Sequence, residues 1–433
     1  MDFRNDRNGN GESDNSSGFR EGNWDSDYSR EHIRNLVREA VIKMIPPGEQ
    51  ISDEELKNHI EEQIELIAGQ VYLRLDEKRR IRHEVFNSLR RMDVLQDILE
   101  DETVTEIMVN GPDHIFIEKE GRMTETGLKF EGQARLEDIA QQIASEGNRI
   151  VNESHPILDA RLADGSRVNI VVPPVAIEGP VITIRKFPKE AMTMKHLIEI
   201  GAVTEEVEDF LKKLVEARYN IFISGGTGAG KTTFLNILSN YIPVTERVIT
   251  IEDSAELQIH GVKNLVRLEA RNANVEGKNE VTIRDLVKSA LRMRPDRIIV
   301  GEIRDAAAID LLSAMNTGHD GSLSTGHANS PADMLNRMET LVLMGLDIPL
   351  AAIRQQIASG IDILVHLGRL RDKSRKVLEV TEVGDVVEGR IQLYPLYSFE
   401  ETGEEGGRVQ GRLKKTKLHL RSVEKCQRAG VTI

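Results

Sequence analysis

The chain has one cysteine, Cys426, in 433 residues. No internal disulfide can form, which fits a reducing cytoplasm. Aromatic residues make up only 4% and the single tryptophan, Trp24, lies in a polar segment, where it reads as incidental or a weak docking point. No apolar run approaches the ~18–20 residues needed to span a bilayer. The opening Met1-Asp-Phe-Arg-Asn-Asp6 is polar and acidic, so no signal peptide is expected either. Any membrane role is then peripheral. Basic excess is missing too: the formal net charge is −14, against a general nucleic-acid binder. No Cys/His ligand set of recognisable spacing marks a metal centre. The guanine-reading N-K-x-D and the kinase set of Gly-rich loop, H-R-D and D-F-G are also absent.

What is present is enough chain for two or three domains, with 39% hydrophobic and 30% charged residues. Residues 1–28, rich in Asn, Gly, Ser and Asp, read as a disordered tail. Over 29–92 the spacing predicts a small helical bundle. Ile33, Val37, Val41 and Met44 form one stripe, stopped by Pro46-Pro47. Ser52-Asp-Glu-Glu55 has the form of a capping box ahead of Leu56, Ile60, Ile64 and Ile67. The third stripe carries Arg79, Arg80, Arg82, Arg90 and Arg91, read as a solvated face.

Over 93–190 the signals turn strand-like and predict an α+β domain. One strand pair flanks Asn110-Gly111, a second flanks Asp164-Gly165, and another strand follows Gly179-Pro180. Leu136–Ser145 reads as a helix, and a short linker near Pro188–Met194 ends the domain. From about 191 to 433 strands and helices alternate, predicting an α/β fold with a parallel sheet and helices on both faces. Its opening helix is capped by Thr204 and striped by Val207, Phe210, Leu211, Leu214 and Val215. From Glu400 the chain reads as a Glu/Gly-rich linker. A basic strand-like run through Lys414, Lys415, Lys417 and Arg421 follows as a solvated edge.

The most specific motif is Gly225-Gly226-Thr227-Gly228-Ala229-Gly230-Lys231-Thr232, which fits G-x-x-x-x-G-K-[ST] at all eight positions. The apolar run Tyr219–Ser224 precedes it and a helical spacing over Thr233–Tyr241 follows. Glycines let backbone N–H groups curl around a phosphate, and the helix turns its positive end to the same anion. Lys231 would reach the β- and γ-phosphates, the Thr232 hydroxyl would ligate Mg²⁺, and Thr233 completes the nucleotide-binding set. ATP is the expected ligand.

Three further segments end an apolar run in polar residues, where ligands of open α/β sheets bind. Arg247–Ile251 delivers Glu252 and Asp253. Asp296–Val300 delivers Gly301 and Glu302, a Walker B-like ending in which Glu302 orients a water or a water on Mg²⁺. Asn316–Asn329 is lined by small residues, and His327 at its strand end is a candidate sensor of the γ-phosphate, His319 less so. Read alone, Glu252 and Asp253 also suit a solvated loop, and the two histidines with Asp320 also suit a metal.

Together the four segments resemble the Walker A, Asp box, Walker B and His box of the type II/IV secretion ATPases. Within them the wording is similar to the CpaF/TadA branch of tight-adherence pilus assembly. Thr105–Gly111, Asp159–Asn169, Ile184–Phe187, Leu291–Asp296, Gly318–Ser322 and Ser359–Val365 carry that likeness. The resemblance covers about 93–385 well. It implies a hexameric RecA-like ATPase with a smaller N-terminal domain and ATP between the two. Arg167 and Arg185, with Arg161 a lesser candidate, would bring charge to the phosphates. It also implies a cytoplasmic ring on an inner-membrane platform protein, powering pilus assembly or secretion. A nucleotide-gated assembly factor with little turnover and a RecA-type DNA motor are the alternatives.

Overall fold

The computed structural model describes residues 30–46, 51–119, 121–147, 149–187, 192–271 and 278–433. The expected tail over 1–28, Trp24, Pro47 and the linker residues 188–191 lie outside the described residues. The chain divides into two compact units, the first up to Ile184 and the second from Arg185, with the short segments Glu120–Arg122 and Ala163–Ser166 counted in the second.

In the first unit, α1 (Arg30–Met44), α2 (Asp53–Ala68) and α3 (Leu75–Arg90) pack their apolar stripes together. Ile33, Val37, Val41, Leu56, Ile60, Ile64, Ile81 and Val85 are all buried, as helical spacing demands. Ser52 caps α2 in a reciprocal box with Glu55. The arginines of α3 sit on the solvated side, Arg80 pairing with Glu84 and Arg82 with Glu61.

After α4 (Gln96–Glu100) come β1 (Val104–Asn110), β2 (His114–Lys119), β3 (Arg122–Glu125), α5 (Gln133–Glu146), β4 (Ile157–Arg161), β5 (Arg167–Val171) and β6 (Val181–Arg185). The strands order as β3-β2-β1-β6-β5-β4. Both expected hairpins form, with Asn110 opposite His114 and Arg161 opposite Arg167. α5 buries Leu136, Ile139 and Ile143 in the same core. The short β3, exposed along its length, carries no alternation and was not legible.

The second unit begins with α6 (Met194–Glu199) and α7 (Glu205–Glu216), the latter capped by Thr204 with its five-residue stripe buried. Then follow β7 (Ile221–Gly225), α8 (Lys231–Ser239), β8 (Arg247–Glu252), β9 (Asn264–Glu269), α9 (Ile283–Ala290), β10 (Arg297–Val300), α10 (Ala307–Asn316) and β11 (Leu323–His327). The chain closes with α11 (Pro331–Leu343), α12 (Leu350–Gly360), β12 (Ile363–Arg369), β13 (Arg375–Val387), β14 (Arg390–Glu405), β15 (Arg408–Lys415) and α13 (Glu424–Ala429).

Among the described residues these strands form one nine-stranded sheet, ordered β15-β14-β13-β12-β7-β11-β10-β8-β9. Side-chain alternation splits its core in two. Ile221, Ile223, Val248 and Ile299 face α7 and α8, whereas Phe222, Ile249, Ile298 and Val300 face α9 to α12. The α/β expectation therefore holds, with helices on both faces.

Three expectations are corrected. The sheet is parallel only from β12 to β9; β13, β14 and β15 extend it antiparallel. The Glu400 segment is not a linker but the end of β14, paired with β15. Its residues Glu400 to Glu405 are exposed on both faces, so no period-2 signal marks a strand. The third segment is also no continuous strand: α10 runs to Asn316, and only Leu323–His327 is β11. β15 is indeed a sheet edge, as its lysines suggested, though Lys417 and Arg421 lie beyond it. No described helix is long and apolar enough to cross a membrane.

Candidate functional site

The phosphate-binding motif joins β7 to α8, as strand-loop-helix chemistry requires. Gly228 and Gly230 adopt φ of +70° and +93°, the left-handed region that suits glycine. A Cβ at Gly226 or Gly228 would meet nothing within 4 Å, so the loop's mouth is open. A Cβ at Gly225 would stand 2.5 Å from the Leu367 carbonyl of β12, so that position admits no side chain. Gly226, Thr227 and Gly228 are exposed, Ala229 is buried, and Thr232 and Thr233 are half-buried in the first turn of α8. α8 starts at Lys231, two residues before the spacing suggested, which puts both threonines at its positive end.

Parallel register brings the other segments to the same edge. His327 ends β11 opposite Gly225 of β7, and Val300 of β10 pairs with Ser324 of β11 and Ile251 of β8. The residues following those strand ends are therefore neighbours across the sheet. Backbone contacts lock them: Gly301 N donates to Ile251 O at 2.9 Å, and Ile303 N donates to Thr325 O at 2.9 Å. The Thr325 hydroxyl donates to Gly301 O at 2.8 Å. A Cβ at Gly301 would lie 3.1 Å from the Glu252 side chain, so glycine permits that carboxylate's close approach.

The side chains form one connected line. Lys231 Nζ donates to Gly226 O at 3.1 Å and approaches His327 Nδ1 at 3.2 Å. An ammonium only donates, so Nδ1 accepts and the ring proton sits on Nε2. His327 Nε2 lies 2.9 Å from Glu302 Oε1. The N–H is not aimed at that oxygen, however, and Oε1 is buried without a hydrogen-bond partner among the described residues. Glu302 Oε2 accepts from Arg304 Nη2 at 2.8 Å, and Arg304 Nη1 stands 3.6 Å from Asp253.

Electrostatics sets distinct states along this line. Burial depresses the Lys231 ammonium, and Arg304 and Arg337 add to the effect, against the pull of Glu302. Burial also depresses the His327 imidazole, so the ring is neutral at pH 7. Burial would raise Glu302, but the cations of Arg304 and Lys231 outweigh it and hold the carboxyl below its ordinary value. Glu302 is thus ionised and faces a neutral imidazole.

Glu252 is different. Burial pushes its carboxyl up to about 7, even though Glu256 N and Leu257 N donate to Oε1 at 2.9 and 3.0 Å. Its Oε2 is buried with no hydrogen-bond partner among the described residues. Asp253, adjacent in sequence, is exposed.

The structure thus gathers Gly225 to Thr233, Glu302 and His327 at one edge, with Glu252 beside Gly301. His319 is not part of this group: it precedes β11, whereas His327 ends it. Asp320 is engaged elsewhere, by Lys425 at 2.8 Å. No cluster of metal-ligating side chains occurs among the described residues, and the metal reading of the two histidines with Asp320 falls with that separation. Arg167 opens β5 and Arg185 closes β6, with Arg161 opposite Arg167 on β4. Sequence reasoning missed Arg304 and Thr325. Arg304 stands two residues from Glu302 on the same strand tip, which was the available signal.

The site's fit to a triphosphate with Mg²⁺ rests on three features of the chain: an open glycine-rich mouth, a helix end bearing Thr232, and buried carboxylate oxygens still lacking partners.

A family model described as Type II/IV secretion system protein matches residues 55–429. A candidate conjugal transfer protein of Mycobacterium tuberculosis is 36% identical over 306 residues, covering 69% of this chain and 86% of its own. The type IV secretion system protein VirB11 of Bartonella henselae is 32% identical over 335 residues, covering 68% and 92%. The solved ATPase DotB of Yersinia pseudotuberculosis, 18% identical, covers 67% of this chain and 78% of its own with a TM-score of 0.50, a likeness of fold.

Proposed function

Because the chain belongs to the type II/IV secretion system protein family, we propose that it is an ATPase of that class whose hydrolytic site is the strand-tip line described above. The observation that carries this reading is the union of a complete phosphate loop with an ionised, half-satisfied Glu302 through Lys231 and His327. Amides from Gly226 to Thr232 cradle the phosphates, and Lys231 turns its ammonium to the β- and γ-phosphates. Thr232 and Glu302 are the residues that would hold Mg²⁺, which when bound neutralises charge between those phosphates. Glu302 Oε1 orients the attacking water and accepts its proton as the water oxygen bonds to the phosphorus. His327, neutral and beside Lys231, reads the γ-phosphoryl position. Glu252, protonated over part of the physiological range, is a second acid–base group at the same tip.

Arg167 and Arg185 are the candidates for added positive charge on the transferring phosphoryl. Arg185→Ala is expected to lower turnover more than affinity, read by nucleotide titration against rate.

The finer reading is a cytoplasmic homo-hexamer of the CpaF/TadA kind, peripheral at the inner membrane, that couples ATP to tight-adherence pilus assembly or secretion through platform proteins. The wording of Thr105–Gly111 and Asp159–Asn169 supports that branch. The deciding experiment is steady-state phosphate release by the purified chain, with Lys231→Ala as control. Absence of turnover in the parent would favour a nucleotide-gated assembly factor. The conjugal-transfer relative keeps a DNA motor in play, although net charge of −14 opposes it. DNA-stimulated hydrolysis would support that alternative.

A further inference from the structure

The proposed chemistry uses one oxygen of Glu302, and the other has a partner of its own. Glu302 stands beyond the end of β10 and before the start of α10. Strand geometry alone therefore does not fix where its carboxylate points. His327 Nε2 lies 2.9 Å from Oε1 without hydrogen bonding to it. Among the described residues, the hydrogen bond that reaches the carboxylate comes from Arg304, whose Nη2 donates to Oε2 at 2.8 Å.

Arg304 is itself held from its far side. Its Nη1 stands 3.6 Å from Asp253 Oδ2, on the residue after β8 ends. β8 and β10 are parallel neighbours, with Ile251 opposite Val300. The guanidinium thus spans two adjacent strand tips, with one nitrogen toward each carboxylate. A planar fork suits that task better than an ammonium, because its nitrogens are fixed relative to one another. The backbone that carries Arg304 is anchored on both sides as well. Ile303 N donates to Thr325 O at 2.9 Å, and Asp305 Oδ1 accepts from Ala307 N at 2.8 Å.

We propose that Arg304 is a positioning residue: by holding Oε2 it turns Oε1 of Glu302 toward the reacting centre, and Asp253 steadies it from the next strand tip. This rests on the hydrolase reading above. Two other roles for the same arginine lead to different behaviour. An exposed ion pair between near neighbours contributes little to stability and nothing to turnover. A guanidinium that acts on the phosphates directly would matter whether or not Glu302 is intact.

Variants of the full chain separate these roles. Arg304→Ala is expected to lower steady-state phosphate release about 10- to 100-fold, the scale of a misplacement of up to an ångström at a reacting centre. Affinity for a fluorescent ATP analogue should stay within about 3-fold, because the phosphate loop is untouched. Arg304→Lys keeps the charge but not the fork, and should recover about 3-fold or more of the lost rate. Asp253→Asn should cost about 3-fold alone and nothing further in Arg304→Ala, as expected for two groups in one brace. Adding Arg304→Ala to Glu302→Gln should cost nothing further either, read by single-turnover hydrolysis of radiolabelled ATP. Should Arg304→Ala not fold, Arg304→Met, which keeps the apolar stem, takes its place. Normal turnover in Arg304→Ala leaves an incidental ion pair, and a loss that multiplies with Glu302→Gln points to direct action on the phosphates; either overturns the proposal. A parent without turnover speaks against the hydrolase reading instead, and crystal structures of the parent and Arg304→Ala then decide. Oε1 of Glu302 swung away from His327 supports the brace, and Oε1 within about 0.5 Å of its parent position sinks it.

Discussion

The two ends of the parallel strands in the second unit bury charge in opposite ways. At their amino ends the buried charges Arg297 and Glu246 and the mostly buried Asp362 each have partners. Arg297, fully buried, donates Nε to Glu246 Oε2 at 2.6 Å, Nη2 to Glu246 Oε1 at 3.0 Å and Nη1 to Val215 O at 2.6 Å. Lys425 of α13 donates to Asp362 at 2.6 Å and to Asp320 at 2.8 Å, and Asp362 also accepts from Asn220 N at 2.7 Å. At their carboxyl ends two carboxylate oxygens, Glu252 Oε2 and Glu302 Oε1, are buried with no hydrogen-bond partner among the described residues. A buried polar atom without a partner costs about 1–3 kcal/mol. One end spends its polar groups on holding strands in place; the other keeps polar atoms available for something the fold does not itself provide.

This contrast can be broken by swapping which end is damaged. Lys231→Ala or Glu302→Gln at the carboxyl ends should reduce phosphate release about 10³-fold, the size of a lost electrostatic contact in a transition state. Glu302→Gln should leave ATP affinity intact, and weakened binding with normal turnover would contradict its role. Arg297→Met at the other end should cost about 3–5 kcal/mol in urea unfolding, because Glu246 is stranded. Affinity for ATP in the folded fraction should not change.

Glu252 sharpens the comparison through pH. Its folded-state carboxyl lies near 7 against an ordinary 4.5, so the folded state holds its proton more tightly than the unfolded chain. Its contribution is fully present below about pH 4.5 and is lost as pH rises through about 7. That gap corresponds to roughly 3 kcal/mol. Glu252→Gln should therefore gain stability over the parent at pH 8 and little at pH 4, measured by denaturant midpoints. An equal effect at both values would remove Glu252 from the set of unanswered groups. The smallest effect is expected from Lys425→Met, about 2 kcal/mol of unfolding free energy, since that pair is partly solvated.

Sequence made the carboxyl ends legible and the amino ends largely opaque. Gly225 to Thr232 is a contiguous motif, and Glu252, Glu302 and His327 each follow a short apolar run, so topology alone predicts their convergence. Nothing local marks Arg297 as buried. It opens a strand like any charged residue, and its partner Glu246 lies 51 residues away. The buried His366 is hidden for the same reason, as its partner, the Ser224 hydroxyl, is 142 residues distant. The antiparallel extension escaped notice because Glu400 to Glu405 is polar on both faces, leaving pairing with β15 as its only strand signal. The bundle helices, by contrast, carry caps and stripes within a single turn or two, and Ser52 and Leu56 announce them directly.

The placement of β7 has a mechanical consequence. It has a parallel partner on each side, β12 and β11, along its whole length. A strand held on both flanks cannot slide or fray without breaking two ladders at once. Any shift of the phosphate loop must therefore travel as a tilt of the sheet with its packed helices, so that a displacement at the loop passes to the body of the unit rather than being absorbed in a flexing turn.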